Sequence, residues 1–468
     1  MCVKFKVSRF FRMIERDGIV AVFNLLHPNP AYLQSATWNQ IIGGTRGGNR
    51  PVCDELIRLS VFIENATVDT HELEQYRHWA TKLLNRPSIL YLMLAQGCNV
   101  ACTYCPIPKL AAQHGNNLLS YDNAVAGIKL WQAHIQDWND DEPFCLIFYG
   151  GEPLLNKVLL ERLLGYVAEQ QSAGALPKKL ELILPTNGLL IDSSLAGQLA
   201  KHNVLVVIGI DGSPIYNDAT RRTNEGKATS SLIEEVVYVF KERGVSLAAS
   251  TTLTPDNVYA ASEHRAYLTS LGIKRFGFNV LKGAALQKNL TTMTAVEYYR
   301  AAAQAVVSGY IGNNSEVLEW QFQKKFSALA AGHPFAIDCT CYGSQLVIQA
   351  DGVVTNCPFL RVNHGRVSQL PKRFRIGETC AVQLWRQRIP LLTSSNNITA
   401  DQVWLHGGGC AWNSYELHGD ITVQDSGNEL FNSEVMRALI WKLLPENERE
   451  RLLAEETPYW NHRRIGAV

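Results

Sequence analysis

Three cysteines stand within eight residues, Cys98, Cys102 and Cys105, spaced C-x3-C-x2-C in the run QGCNVACTYCP. Cys339, Cys341, Cys357, Cys380 and Cys410 follow later, and Cys2, Cys53 and Cys145 stand alone. The total is 11, an odd number, which does not suggest a disulfide framework. In a reducing compartment, clustered cysteines more often bind metal. Three thiolates can hold three irons of a 4Fe–4S cluster and leave the fourth iron open to a small molecule. Zinc is the alternative, although a structural zinc would normally take four protein ligands.

These thiols need elements to carry them. Between residues 87 and 285 the pattern alternates. Strand-like runs at 89–94, 144–149, 180–184, 204–210, 246–252 and 276–280 are separated by helical periodicity at 121–138, 157–171, 193–202, 230–243 and 259–271. About six strand–helix units predict a parallel sheet, open or curled into part of a TIM-like barrel, with ligands at the carboxyl ends of the strands. The first cysteine group follows the first of these strands.

Residues 1–86 read as a small domain, with strands at 19–26 and 31–33 around a turn at His27-Pro28-Asn29-Pro30. Helical pattern follows at 38–42, 53–62 and from Val68 onward. The run GGTRGGNRP (43–51) between them reads as a flexible loop, lacking the lysine of a phosphate loop. Residues 286–335 form a helical connection, 336–425 a cysteine-rich unit and 426–468 a helical tail. Within the cysteine-rich unit, 345–350, Asp351-Gly352 and 353–356 give a strand–turn–strand signal.

Composition sets outer bounds. Hydrophobic residues make up 46% and charged residues 19%, and 44 basic residues nearly balance 43 acidic ones. A packed core is expected, with no partner held by bulk charge such as nucleic acid, and no membrane-spanning run. The first residues carry no apolar signal segment, so a cytoplasmic protein is expected.

The cysteine array and the motifs after it resemble the radical S-adenosylmethionine (radical SAM) superfamily over about residues 87–285. In that family the open iron chelates S-adenosylmethionine, and an electron from the cluster cleaves it to a 5′-deoxyadenosyl radical that removes hydrogen from an unreactive C–H bond. The resemblance carries over residue by residue. Gly150-Gly151-Glu152-Pro153 is similar to the family's GGEP motif for the methionine amino group. The glycines would let carbonyls approach an ammonium, and Glu152 would add an acceptor. Thr186-Asn187-Gly188 is similar to the turn near the ribose and methionine end, and Ile208 to Gly212, with Asp211, to the element after the fourth strand. Gly209 replaces a serine frequent in relatives. Arg221 is then the candidate partner of the cofactor carboxylate, and Tyr104 matches the aromatic position beside the adenine. Asn279, ending the sixth strand, is a candidate for the adenine side or a strand-end cap.

From Cys341, the spacing C-x10-G-x4-C to Cys357, followed by GGGC at 407–410, resembles the SPASM/twitch extension. It implies one auxiliary 4Fe–4S cluster on Cys339, Cys341, Cys357 and Cys410. Asn397, Ala400 and His406 stand where a second auxiliary cluster would need cysteines. Cys53, Cys145 and Cys380 read as buried thiols behaving as small apolar residues, with Cys145 or Cys380 a minority candidate for a hydrogen-atom donor.

SPASM-type enzymes mostly modify peptides. Sulfatase maturases carry an acidic residue after the cysteine aligned with Cys357; Pro358 stands there and cannot take a proton. The other large branch matures ribosomally made peptides, frequently with an N-terminal winged-helix module that grips the precursor's leader, and residues 1–86 have that size and pattern. The resemblance therefore implies a peptide maturase forming a side-chain crosslink, with a leader-bearing precursor peptide and an electron donor such as flavodoxin or ferredoxin as partners. A peptide epimerase, a small-molecule enzyme like the molybdenum-cofactor cyclase, and a non-catalytic zinc adaptor are the alternatives. The cyclase usually ends in paired glycines, where this chain ends Arg464-Ile465-Gly466-Ala467-Val468.

Overall fold

The computed structural model describes residues 5–43, 50–135, 143–309, 318–332, 337–393, 407–423 and 425–461. The expectations for residues 44–49, for Asn397, Ala400 and His406, and for 464–468 lie outside the described residues. The centre is a nine-stranded sheet. Six strands lie in it side by side in chain order: Ile89–Ala95, Phe144–Gly150, Leu180–Thr186, Leu205–Gly209, Ser246–Leu253 and Arg275–Val280. All five pairings among them are parallel. Runs such as ILYLMLA and LVVIG have few polar positions, as strands covered on both faces require. Helices supply the crossovers, among them Tyr121–Ile135, Lys157–Ser172, Ser193–Lys201 and Ser230–Arg243. This is the large parallel sheet of a partial TIM-like barrel in an α/β fold.

The sheet extends past the expected six strands on both sides. Leu318–Glu319 adds a parallel strand beyond Arg275–Val280. On the other flank Gln345–Ile348 pairs in parallel with Ile89–Ala95, with Gln345 opposite Ile89. Gln345–Ile348 also pairs antiparallel with Val354–Thr355, as the Asp-Gly signal predicted. The hairpin of the cysteine-rich unit is thus part of the barrel sheet. A helix seals the seam. A Cβ at Gly127, on helix Tyr121–Ile135, would stand 2.5 Å from Cγ1 of the fully buried Ile348, so only glycine admits this approach.

The N-terminal residues form a second, antiparallel sheet ordered Trp460–Asn461, His27–Gln34, Ile19–Asn24, Phe11–Arg16. Asp17 (φ 51°) and Gly18 (φ 78°) make a two-residue turn with both residues left-handed, which suits a tight hairpin. The turn expected at His27–Pro30 is displaced. Asn24 pairs with His27, and the Asn24 Oδ1 accepts from Leu26 N at 2.8 Å, so Leu25-Leu26 make the turn. The prolines lie within the next strand, paired over part of its length by the short Trp460–Asn461. The helix expected over 53–62 ends at Arg58, because Phe62–Ile63 pairs with Lys6–Val7. The tail is two helices, Ser426–Lys442 and Glu446–Leu453, interrupted at Pro445, and its last strand completes the N-terminal sheet.

Arg386 joins three of these parts. It is 5% exposed and donates to Tyr342 O (2.7 Å), Leu84 O (2.7 Å) and Asn85 Oδ1 (2.8 Å). It thereby ties the end of helix Ala66–Leu84 to the turn that carries Cys341. Replacing Arg386 by Met should lower the unfolding free energy by about 2–4 kcal/mol, because buried acceptors lose a charged donor. Urea denaturation measures this; a loss below about 0.5 kcal/mol, the range of ordinary surface substitutions, would show that the clip contributes nothing.

Candidate active site

The loop after Ile89–Ala95 is strapped from two sides. Gly151 N donates to Ala95 O and Glu152 N to Gly97 O, both at 2.9 Å. On the far side Ala101 N donates to Arg222 O (2.8 Å) and Thr103 N to Thr220 O (3.0 Å). These bonds hold Cys98, Cys102 and Cys105 at the carboxyl end of the sheet. The two motif glycines have a structural reason. A Cβ at Gly150 would lie 2.3 Å from Ala95 O, and one at Gly151 2.3 Å from Gly97 O. They admit the cysteine loop's own backbone, in addition to any ligand.

Glu152 departs from the expected role. Its side chain is fully buried, and both oxygens are engaged within the protein: Oε1 accepts from Leu154 N (3.0 Å) and Thr186 Oγ1 (2.8 Å), and Oε2 from Asn187 N (2.8 Å). It organises the turn after the third strand. Asn187 in turn donates to Asn99 Oδ1 at 2.8 Å and lies 3.8 Å from Cys98 Sγ. Thr186 and Asn187 are thus brought to the cysteine loop.

Arg221 also departs. Its Nε is 2.9 Å and its Nη2 3.2 Å from the carboxylate oxygens of Asp211, which has no exposure. Asp211 further accepts from Tyr104 OH (2.6 Å), Thr220 Oγ1 (2.8 Å) and Thr252 N (2.9 Å). Arg221 Nη1 is 3.9 Å from Cys102 Sγ. A Cβ at Gly209 would sit 2.5 Å from Arg221 Nη1. The guanidinium therefore fills the space that a serine at this position would need, and its fork is already paired with Asp211. Tyr104 is anchored on the same carboxylate. Val100, Asn187, Leu189, Gly209 and Arg221 line a narrow cleft beside Cys98 and Cys102.

Burial raises the pKa of Cys98, Cys102 and Cys105, the last to about 12. Protonated, partly buried thiols beside one cation suit a site whose own positive charge ionises its ligands. Among the described residues no three His, Cys, Asp or Glu side chains have the geometry to hold one metal ion. A four-iron cluster makes a different demand, with each thiolate on a separate iron.

The second thiol group is built by three elements. Cys339 precedes the turn Thr340–Tyr342 and Cys341 lies within it, Cys357 follows Val354–Thr355, and Cys410 caps helix Ala411–His418. Tyr342 OH donates to Gly408 O (2.7 Å) and Gly409 O (3.0 Å), and Arg388 Nε to Gly408 O (2.9 Å), so the loop entering Cys410 is clamped to the turn after Cys341. The four thiols perturb one another electrostatically. A hydrogen bond from Cys341 lowers the pKa of Cys339, and Cys341 is raised by the same pairing and by burial. Four thiols in mutual reach fit a closed cluster site.

The lone cysteines lie elsewhere. Cys145 is near the start of Phe144–Gly150, at the opposite end of the strand from Gly150, and contacts Glu181 at 3.4 Å. Cys380 is exposed and Cys53 and Cys145 are half-buried, which corrects the expectation of three buried thiols. Asn279 Nδ2 donates to Ser250 Oγ, a side chain of the neighbouring strand, at 2.5 Å. A cavity of about 360 Å³ that the sequence reading missed opens beside Asn279, with Lys282, Trp320, Lys325, Cys339 and Cys410 in its walls. Its one legible signal was the position of Lys282 just past the carboxyl end of the sixth strand.

Comparison with known proteins agrees with this geometry. Residues 92–258 match the family model described as Radical SAM superfamily. A relative named radical SAM cyclopropyl synthase TigE, from Paramaledivibacter caminithermalis, is 22% identical over 81% of this chain and 79% of its own. A cysteine-type anaerobic sulfatase-maturating enzyme of Clostridium perfringens is 24% identical over 60% of this chain and 77% of its own. The solved structure described as native anSMEcpe with bound AdoMet and Kp18Cys peptide superimposes with a TM-score of 0.60 at 18% identity, covering 76% of this chain and 98% of that one. That likeness is one of fold.

The Asp211–Arg221 pair can be tested directly. Asp211→Asn should cost about 3–5 kcal/mol, because it leaves a buried guanidinium without its counter-charge. Gly209→Ser should cost about 1–3 kcal/mol by displacing that guanidinium, and adding Arg221→Ala to Gly209→Ser should recover part of the loss. A double-mutant cycle on denaturation midpoints reads the coupling; strict additivity would mean that Gly209 and Arg221 do not share the space.

Proposed function

We propose that this chain, a radical SAM superfamily enzyme by its matched residues 92–258, modifies a peptide by hydrogen abstraction and most readily forms a side-chain crosslink. When bound on Cys98, Cys102 and Cys105, a 4Fe–4S cluster with S-adenosylmethionine supplies hydrogen abstraction from unactivated C–H bonds. The protein's part is placement. The backbone at Gly150, Gly151, Glu152 and Pro153 borders the cysteine loop. Thr186 and Asn187 are locked to it through Glu152, and Asp211 fixes both Tyr104 and Arg221 at its other edge. With its fork on Asp211, Arg221 presents one edge of a charge-compensated ion pair to the cleft in place of a free bidentate clamp.

The observation that carries the reading is the presence of two thiol groups on one sheet, three cysteines after its first strand and four around the adjoining hairpin. Cys339, Cys341, Cys357 and Cys410 would hold one auxiliary 4Fe–4S cluster. A crosslink removes two hydrogens, so an electron and a proton must leave after the first hydrogen atom. The second thiol group provides a place for that electron. Epimerisation would need a hydrogen donor, and neither Cys145 nor Cys380 stands at the site. A relative named for sulfatase maturation supports a peptide substrate, and the peptide in a fold neighbour agrees. Pro358 argues for a substrate other than a sulfatase.

The leader would dock on the N-terminal sheet. Phe11–Arg16 is its edge strand. The closing pair Arg16 and Ile19 turns the N–H groups of Arg12 and Ile14 inward, and alternation turns those of Met13 and Glu15 outward. A peptide strand could add there. A flavodoxin or ferredoxin would deliver the reducing electron.

Changing Cys98, Cys102 and Cys105 to Ala should abolish S-adenosylmethionine cleavage and lower bound iron from about eight to about four per chain. Retained 5′-deoxyadenosine production would sink the assignment. A short peptide encoded beside the gene, co-expressed with the enzyme, should lose the mass of two hydrogens; an unchanged mass with an inverted residue would favour epimerisation. Met13→Pro removes an outward donor and spares the inner ladder, so it should weaken binding of that peptide about tenfold by fluorescence anisotropy, near the worth of one or two backbone hydrogen bonds. Equal affinity would exclude edge-strand docking.

A further inference from the structure

Lys282 lies just beyond the sixth barrel strand and caps the short helix Gly283–Asn289. Its backbone is pinned to the helix that Cys410 begins. Gly283 N donates to Asn413 Oδ1, and a Cβ at Gly283 (φ +59°) would stand 2.7 Å from Cβ of Glu416. Lys282 shares the wall of the 360 Å³ cavity with Cys339 and Cys410. Asp338 lies in the same cavity wall.

The two carboxylates nearby are already employed. Asp338 accepts from the side-chain amides of Asn428 and Asn432, and Asp425 caps helix Ser426–Lys442 through Asn428 N at 3.1 Å. Lys325, across the cavity, lies 5.8 Å from the Phe431 ring centre. Lys282 is half-buried, and an ammonium withdrawn from water is costly unless acceptors or negative charge face it. Here the groups in the same wall are the thiols of Cys339 and Cys410 and the carboxylate of Asp338.

We infer that Lys282 is the fixed counter-charge of the four-thiol site and sets the reduction potential of the iron–sulfur cluster held there, a role that rests on the auxiliary-cluster reading above. Reduction adds one negative charge to a cluster. A cation in the wall of the same cavity as two of its ligands stabilises the reduced form and raises the potential. Lys282 is a positioning residue in this role: it acts on the cluster's charge and touches no reacting atom.

The test uses the full-length protein, reconstituted with iron and sulfide, in a Cys98/Cys102/Cys105→Ala background, so that only the second site contributes signal. Lys282→Gln and Lys282→Arg are compared with that parent by iron content and by redox titration followed by electron paramagnetic resonance. Lys282→Gln should keep about four irons and lower the reduced-to-oxidised ratio at fixed potential about tenfold, which is about 59 mV for one electron. Lys282→Arg should restore the parent value. Loss of iron in Gln with retention in Arg would equally support the counter-charge. An unchanged potential in Lys282→Gln, or iron loss in both variants, overturns it. A parent without iron would instead defeat the auxiliary-site reading itself, and the role of Lys282 with it.

Discussion

The strand Ile89–Ala95 is hydrogen-bonded along both flanks, to Phe144–Gly150 on one side and to Gln345–Ile348 on the other. Its carboxyl end launches the loop of Cys98, Cys102 and Cys105. The strand beside it leads through a tight hairpin to Cys357. One buried ladder therefore sets the distance and orientation between the two thiol groups, and neither can shift without breaking main-chain bonds in a dry interior. Gly127, Gly150 and Gly151 are the places where that ladder and its loops come too close for a side chain.

Polar groups at this end of the sheet are mostly spent on one another. Glu152 ties the second and third strand ends together, and Asp211 gathers Tyr104, Thr220, Arg221 and Thr252. Such networks are stable only when fully satisfied. Their reward is a rigid rim: the backbone around the cysteine loop is held before any ligand arrives, so less order has to be imposed on binding.

The N-terminal and C-terminal ends of the described chain meet. Trp460–Asn461 extends the N-terminal sheet, and Tyr32 OH bonds Ile440 O in the tail helix. Arg386 anchors helix Ala66–Leu84 to the turn of Cys341. Helix Ala66–Leu84 and the turn of Cys341 are therefore parts of one connected framework.

Much of this was readable in the residues alone. The six barrel strands, their helices, the Asp-Gly hairpin and the cysteine spacing are local patterns, set by apolar periodicity and turn chemistry within short windows. The convergence of Asn187 and Arg221 on the first cysteine loop followed from strand ends sharing one rim. What stayed hidden was long-range. The pairing of Gln345–Ile348 with a strand some 250 residues earlier, the closure of the N-terminal sheet by Trp460–Asn461, and the cavity beside Lys282 depend on which edges and faces meet. A side chain's partner is equally invisible in sequence: Glu152 and Arg221 carry the expected charges, but only packing decided that each would turn inward to a protein group. Sequence sets which chemistry is possible at each strand end; the burial and pairing of distant segments decide which of those groups stay free to use it.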